Sequence, residues 1–235
     1  MTGPLAKAAL VKYQDTSPPT PVVTMFQYNP ERLSHSWSQA PPGGPPGKEE
    51  GNPLAVQGMP GESFDFTIYL DADDDVVSGV PQLKQAADQS GVGARLAALE
   101  MLLYPAESGS SAASGGLLYT SSGAFDSSGS TWQLPNSAVP VVLFYWNANR
   151  VVPVRVTTLS ITETLYDEDL KARHAEAQLS LRVLTPEELA AMKPTPNSAA
   201  ALAVAAYNQT LATRRRWAGV NTSSPAGSIT SQLPH

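Results

Sequence analysis

The sequence predicts a mainly β fold, an antiparallel β-sandwich or half-barrel with one packed α-helix and a helical C-terminal tail. Residues 139–146 are apolar on both alternating faces, as in a strand that is covered on both sides. Residues 175–183 alternate strictly between apolar and polar side chains, which predicts a strand with one core face. Residues 92–103 carry leucines at three- and four-residue spacing, which predicts a helix that packs on the sheet.

The N-terminal part contains shorter extended segments. These are residues 5–13, 22–28, 33–37 and 64–70. The Asn29-Pro30 turn joins the second segment to the third, because proline fixes φ and disfavours helical geometry in the residue before it. We expect these two segments to form a hairpin or a corner. Two other stretches predict loops: the Pro/Gly-rich residues 39–61, and the Ser/Gly-rich residues 106–137, which form an insertion.

The central hairpin is predicted from residues 139–164. Asn147, Ala148 and Asn149 supply turn chemistry between the strand 139–146 and a returning strand 151–164. In the returning strand the main row of apolar residues occupies even-numbered positions up to Val156 and odd-numbered positions from Leu159 onward. Keeping them on one face requires an extra residue, so we expect a β-bulge near Thr157 or Thr158.

The C-terminal extension, residues 186–220, predicts two helices. Thr185 is a typical N-cap before Pro186 and two acidic residues, and this helix is expected to end near Met192. Asn197 is expected to cap an Ala-rich helix through about Trp217. Its apolar stripe is thin, so it needs a partner for stability. Residues 221–235 are polar and are expected to form a disordered tail.

Composition excludes several classes of function. The net charge is −6 and the pI is near 5.0, which argues against a general nucleic-acid binder. The chain has no cysteine, so it has neither disulfides nor a thiolate metal site. Charged residues make up 15% of the chain, which suits either a surface covered by neighbours or a loop-rich protein. The sequence shows no signal peptide and no membrane-spanning run, so we expect synthesis in the cytoplasm and no membrane insertion.

No group of residues predicts catalysis. Asp71 and Asp73 to Asp75 allow two interpretations, a cation site or a solvated strand end, but they lack the glycine and glutamate that an EF-hand loop requires. His35, His174 and His235 are far apart in sequence and have no ligand partner at helical spacing. The chain contains no nucleophile elbow and no phosphate loop. We therefore expect a protein that is not an enzyme and has no cofactor and no metal.

Four stretches carry a resemblance to a known family. They are Phe26 to Ser34 (FQYNPERLS), Pro153 to Val156, Ile161 to Asp167, and the entry into the last strand at Arg173 to Glu176. In these stretches residues 1–185 resemble the tube-type domain of contractile injection systems, which are phage-tail-like particles. The similarity is greatest to the baseplate adapter that joins the spike to the inner tube. The chain departs from that family at Asn147, where glycine is usual, and it lacks a C-terminal LysM module.

The resemblance implies a structural role. Tube-type domains form hexameric rings whose strands build a continuous barrel with a hydrated lumen. This chain would then join the spike or hub protein to the inner tube proteins, nucleate tube assembly and contact baseplate wedge proteins. It would work in an assembled particle, either cytoplasmic or released. Two alternatives are the inner tube protein itself and a module that binds glycan or peptidoglycan.

The resemblance also suggests two groups of site residues. Candidate subunit contacts, which core packing would explain equally well, are Phe26, Tyr28, Asn29, Pro30, Phe144 and Trp146. Candidate residues of a polar lumen, which an ordinary solvated sheet face would explain equally well, are Arg155, Glu176, Gln178, Ser180 and Arg182.

Overall fold

The structure is a computed structural model that describes residues 6–14, 16, 18–39, 56, 58–105 and 139–222. Its strands are β1 (Ala9–Gln14), β2 (Thr20–Met25), β3 (Leu33–Ser38), β4 (Gly61–Asp71), β5 (Val142–Asn147), β6 (Arg150–Tyr166) and β7 (Ala172–Val183). Its helices are α1 (Ala72–Val77), α2 (Pro81–Ser90), α3 (Gly93–Glu100), α4 (Pro186–Ala191) and α5 (Ala199–Thr222). The mainly β fold with packed helices is confirmed.

All seven strands form one antiparallel sheet in the order β2-β1-β5-β6-β7-β4-β3. The segments on either side of the Asn29-Pro30 turn do not pair with each other. β2 pairs with β1, and β3 pairs with β4. Of the two expectations for this turn, the corner is therefore confirmed and the hairpin is wrong.

The sheet is strongly curled. The Phe144 ring on β5 lies 5.2 Å from the Phe64 ring and 5.4 Å from the Phe66 ring on β4, although β6 and β7 separate these strands in the sheet. Three strand spacings in a flat sheet would place them about 14 Å apart. Phe26, which follows β2, closes the same interior at 5.5 Å from Phe66. The result is a half-barrel with an aromatic core.

The central hairpin is confirmed. β5 and β6 pair around a turn at residues 148–149, and the register of β6 against β7 shifts between Val156 and Thr158. The predicted bulge is thus at the expected place. β5 is covered on both faces, since Phe144 lies in the half-barrel core and Leu143 packs with Leu189 of α4.

The packed helix predicted at 92–103 is confirmed as α3, which ends three residues earlier in the chain, at Glu100. α1 and α2 precede it and were not predicted. Gly91, between α2 and α3, has φ +59°, and a Cβ there would lie 2.1 Å from the carbonyl oxygen of Ala172. This close approach lets Val92 N–H donate to the same oxygen at 2.9 Å, which fixes the helices against the start of β7.

The C-terminal helices pack on the sheet of the same chain. Thr185 caps the start of α4, as predicted, and it forms a complete capping box with Glu188. The expected cap at Asn197 is wrong. Ser198 Oγ accepts the bond from Ala201 N–H, while Asn197 takes a left-handed conformation with φ +62°. α5 buries Ala203 against the outer face of β5, so its predicted partner is its own domain.

Other sequence predictions fall largely outside the described residues. They are most of the 39–61 loop, nearly all of the 106–137 insertion, and the tail beyond residue 222. Among the described helices, none has the length and hydrophobicity that a membrane crossing needs.

Candidate functional site: a polar sheet face and two open strand edges

The candidate lumen residues lie together on one face of the sheet, here called the polar face. Arg155 stands directly opposite Arg182 across β6 and β7, and Glu176, Gln178 and Ser180 follow along β7 on the same side. β4 extends this face with Ser63, Asp65, Thr67 and Tyr69, and β6 extends it with Ser160, Thr162 and Thr164. The opposite side of these strands faces the core, as the alternation of β7 predicted.

Contacts within the polar face are polar and balanced in charge. Ser180 Oγ donates to Asp65 Oδ1 at 2.6 Å, and Thr157 Oγ1 donates to the Ser180 carbonyl at 3.0 Å. Arg182 Nη1 donates to Glu188 of α4 at 2.6 Å. Glu176 and Arg155 are exposed and add one charge of each sign. Such a face holds water and favours neither a strongly acidic nor a strongly basic ligand.

The far half of β6 has an open edge. β5 pairs with β6 only from Arg150 to Val154, whereas β7 pairs with β6 as far as Tyr166. Backbone groups alternate between the two sides of a strand. The register puts the N–H and C=O groups of Leu159, Ile161 and Glu163 on the side away from β7. No described strand pairs with them.

β3 forms a second open edge, because among the described strands it pairs with β4 alone. β2, at the other end of the sheet, likewise pairs only with β1. The even-numbered residues of β3 face β4, so the N–H and C=O groups of Leu33, His35 and Trp37 point outward. An exposed row of such groups is a template for another strand. The β6 and β3 edges therefore each present the backbone groups of three alternate residues.

Four of the six candidate contact residues belong to the core or pack against it. Phe26 and Phe144 are 1% and 0% exposed, so within this fold their rings are not available to a second molecule. Pro30 is also buried, and Trp146 packs against the core at the edge of Phe144, 5.9 Å between ring centroids. For these residues, core packing is the interpretation that accounts for the geometry.

The other two contact candidates are partly exposed but already have partners. Asn29 holds the segment just before β1: its Nδ2 donates to Ala6 O at 2.8 Å, and its Oδ1 accepts from Ala8 N–H at 2.9 Å. Tyr28 is 40% exposed, and its hydroxyl donates to Asp74. That bond, with burial and nearby carboxylates, raises the pKa of Tyr28 to about 12. Both side chains fix the corner between β2 and β3.

The acidic run at the end of β4 starts a helix. Asp71 Oδ1 accepts from Asp73 N–H at 2.8 Å and so caps α1. Asp73 pairs with Arg173, and Asp75 makes a two-pronged ion pair with Arg95 at 2.5 Å. Asp71, Asp73 and His174 lie close enough to approach one cation, but these bonds account for both carboxylates without an ion.

A buried polar cluster, here called the Glu62 cluster, was not predicted. Glu62 is 5% exposed and lies at the core-facing start of β4. Arg214 of α5 donates to it through both terminal nitrogens, one of them at 2.8 Å, and His35 Nε2 lies 2.7 Å from Glu62 Oε1. Burial would raise the pKa of Glu62, but the bonds from Arg214 and His35 outweigh it, so this pKa lies below its usual value.

His35 is neutral in this cluster near neutral pH. Burial lowers the pKa of His35 more than the carboxylate of Glu62 raises it. Because an ionised carboxylate only accepts hydrogen bonds, the imidazole Nε2 carries the proton and donates it. The sequence did contain a signal for this cluster. Glu62 is two residues before Phe64 and four before Phe66, so the alternation of the strand places all three side chains on the core face.

No family model matches the chain, and no curated protein matches it significantly.

Proposed function

We propose that this protein is a ring-forming structural subunit of a contractile injection particle, placed in the baseplate adapter that joins the spike to the inner tube. The observation that supports this proposal is the match between the open edges of β6 and β3. The function is mechanical, since the work is done by strand pairing and buried contact area between copies.

The directions of the two edges agree. In the order β6-β7-β4-β3 each neighbouring pair is antiparallel, so β6 and β3 run in opposite directions. Rotation about a ring axis preserves each strand's direction along that axis. The β6 edge of one copy therefore meets the β3 edge of the next as an antiparallel pair, and the alternation continues around a closed ring.

The faces also agree. Full overlap of the open rows puts His35 opposite Ile161, with Leu33 opposite Glu163 and Trp37 opposite Leu159. Leu33, His35, Leu159 and Ile161 all direct their side chains toward the core face. The residues between them, such as Ser36 and Ser160, then meet on the polar face. One continuous polar surface results, which would line the channel, and ring closure pairs the open edges of β6 and β3.

The number of copies comes from the resemblance, which implies six. The proposal is tested by sedimentation velocity and electron microscopy of the purified protein, alone and mixed with a candidate spike protein. We expect a hexameric ring whose polar face lines a central channel. A chain that stays monomeric at all concentrations and with each candidate spike partner would contradict the proposal.

A further inference from the structure

The turn of the β6–β7 hairpin is an exposed apolar projection, here called the hairpin tip (residues 165–171). Leu165, Tyr166 and Leu170 are 64%, 52% and 81% exposed. Leu165 and Leu170 have φ of +55° and +60°, a region that bulky side chains rarely adopt. Leucines that are both exposed and held in an unfavourable backbone conformation suggest a binding role for the tip.

The conformation of the tip is fixed by Asp167. Its Oδ1 accepts from the N–H groups of Asp169 and Lys171, both at 2.9 Å, and its backbone carbonyl accepts from Leu170 N–H at 3.0 Å. The tip is therefore a preformed shape. Its side chains include three carboxylates and one ammonium group, so it is acidic overall.

The last turns of α5, here called the α5 end (residues 215–220), have the opposite character. α5 contains three arginines and no acidic residue. Arg214 pairs with Glu62, whereas Arg215 and Arg216 are exposed. Trp217 and Val220 are also exposed, at 57% and 61%, and the Arg216 guanidinium lies 5.8 Å from the Trp217 ring. This surface is basic and apolar.

The tip and the α5 end lie at opposite ends of the same strands. α5 contacts β4 near its start, at Glu62. The hairpin tip lies near the end of β4, because Asp71 at that end stands opposite His174, three residues after the tip. The nine residue-to-residue steps along β4 from Glu62 to Asp71 span about 30 Å. One molecule cannot bring its own two surfaces together, but two copies can.

We propose that the hairpin tip of one copy binds the α5 end of a second copy. Glu168 faces Arg215 and Arg216 in this contact, together with Asp169, whose carboxylate also pairs with Lys171 at 2.8 Å. The exposed leucines of the tip pack on Trp217 and Val220. The contact is heterologous, so it repeats and joins copies head to tail. It goes beyond the proposed ring and uses neither open strand edge. In a ring it would add further layers along the ring axis.

The test is sedimentation velocity of the full chain in about 50 mM and about 500 mM salt. We expect the wild type to form concentration-dependent oligomers that weaken at high salt, because screening reduces attraction between exposed charges. A tip variant, E168K/D169K, and a helix variant, R215E/R216E, should each weaken association roughly tenfold or more, since each replaces attraction by repulsion. An equimolar mixture of the two variants should associate again, because the basic tip of E168K/D169K can bind the acidic α5 end of R215E/R216E.

Lys193→Glu is the matched control, since it reverses an exposed charge in the connection between α4 and α5, at the opposite end of α5 from Arg215 and Arg216. It should leave association unchanged. Circular dichroism should show that every variant is folded. The inference is overturned if the wild type does not associate, if both reversal variants associate as the wild type does, or if their mixture does not recover. Variants that lose end-to-end association but still form rings would show that the two contacts are separate.

Discussion

At the scale of single residues, Glu62 and Arg214 join the C-terminal helix to the sheet across 152 positions of sequence. The Glu62 carboxylate is buried, so it depends on Arg214 and His35 to replace the water that it loses on folding. α5 thereby becomes part of the domain, although its own apolar stripe is thin.

Arg214→Met should lower the free energy of unfolding by about 2–3 kcal/mol. Removing one partner leaves a buried carboxylate without its counterion, and the loss is moderated because the Arg214 side chain is one-third exposed. Urea unfolding at pH 7.5, followed by circular dichroism, measures the change. Arg215→Met on the exposed side of the same helix is the control and should cost less than about 0.5 kcal/mol.

The Glu62 cluster also predicts how stability depends on pH. Folding lowers the pKa of both His35 and Glu62, so the unfolded chain binds the corresponding protons first. Stability should fall as the pH drops below about 6.5, the usual value for histidine, and again below about 4.3, the usual value for glutamate. Unfolding midpoints measured from pH 8 to pH 4 test this, and His35→Gln should remove the upper step. Stability that rises on acidification through pH 6 would be incompatible with a neutral buried imidazole.

Thr210 is a second point of attachment between α5 and the sheet. Its hydroxyl accepts from Val151 N–H at 3.1 Å and donates to Val151 O at 2.7 Å, next to the place where the β6–β7 ladder ends. Thr210→Val keeps the shape but leaves both backbone groups unpaired, so it should cost about 1–3 kcal/mol. Thr213→Val, whose hydroxyl bonds only within the helix, should be nearly neutral in the same unfolding assay.

At the scale of secondary-structure elements, the important feature is the difference in length between β5 and β6. Because β5 is short, the far half of β6 keeps one side of its backbone open. The two sides of this segment therefore have different roles: one holds the fold together through β7, and the other is available to a second copy.

Two proline substitutions distinguish these roles. Glu163→Pro removes an N–H that points to the open edge, so the monomer should stay folded while ring assembly is lost. Thr162→Pro removes an N–H that points to β7 and should destabilise the monomer by about 3 kcal/mol. Thermal unfolding and sedimentation velocity of both variants provide the measurement. If Glu163→Pro assembled like the wild type, β6 would not be the pairing edge.

The sequence was informative where a pattern is local. The strict alternation of β7, the doubly apolar β5, the bulge in β6 and the N-cap at Thr185 were each predicted from adjacent residues. α1 and α2 were not predicted, because α1 is short and α2 buries only Ala87, so neither carries a clear apolar stripe. The second cap was misplaced by one residue because Asn197 and Ser198 are both good N-cap residues.

The candidate site was only partly accessible from sequence. Alternation along β7 was enough to place the polar face. The open edges were not predictable, because they depend on which strands pair and on where each pairing stops. The Glu62 cluster was missed since its residues come from β3, β4 and α5, far apart in the chain.

At the scale of the whole molecule, the two proposed contacts should respond differently to salt. The ring contact consists of backbone hydrogen bonds and apolar side chains, whereas the end-to-end contact depends on exposed charges. Raising the salt concentration should therefore separate stacked layers while leaving rings intact. Electron microscopy at the two salt concentrations measures this. The opposite result, in which raising the salt concentration breaks the rings but leaves copies joined end to end, would contradict this assignment of the two contacts.

The most direct test of the ring uses the absence of native cysteine. Full overlap of the open edges puts Ser36 opposite Ser160 as a non-hydrogen-bonded pair, whose Cα spacing of about 4.5 Å suits a disulfide. The variant S36C/S160C should form a ladder of covalent oligomers that ends at a closed hexamer, whereas each single-cysteine variant should give dimers at most. The account would be contradicted if S36C/S160C and the neighbouring pair S34C/T162C both stayed monomeric under oxidation while T24C/T162C, which joins β6 to the β2 edge, gave the ladder.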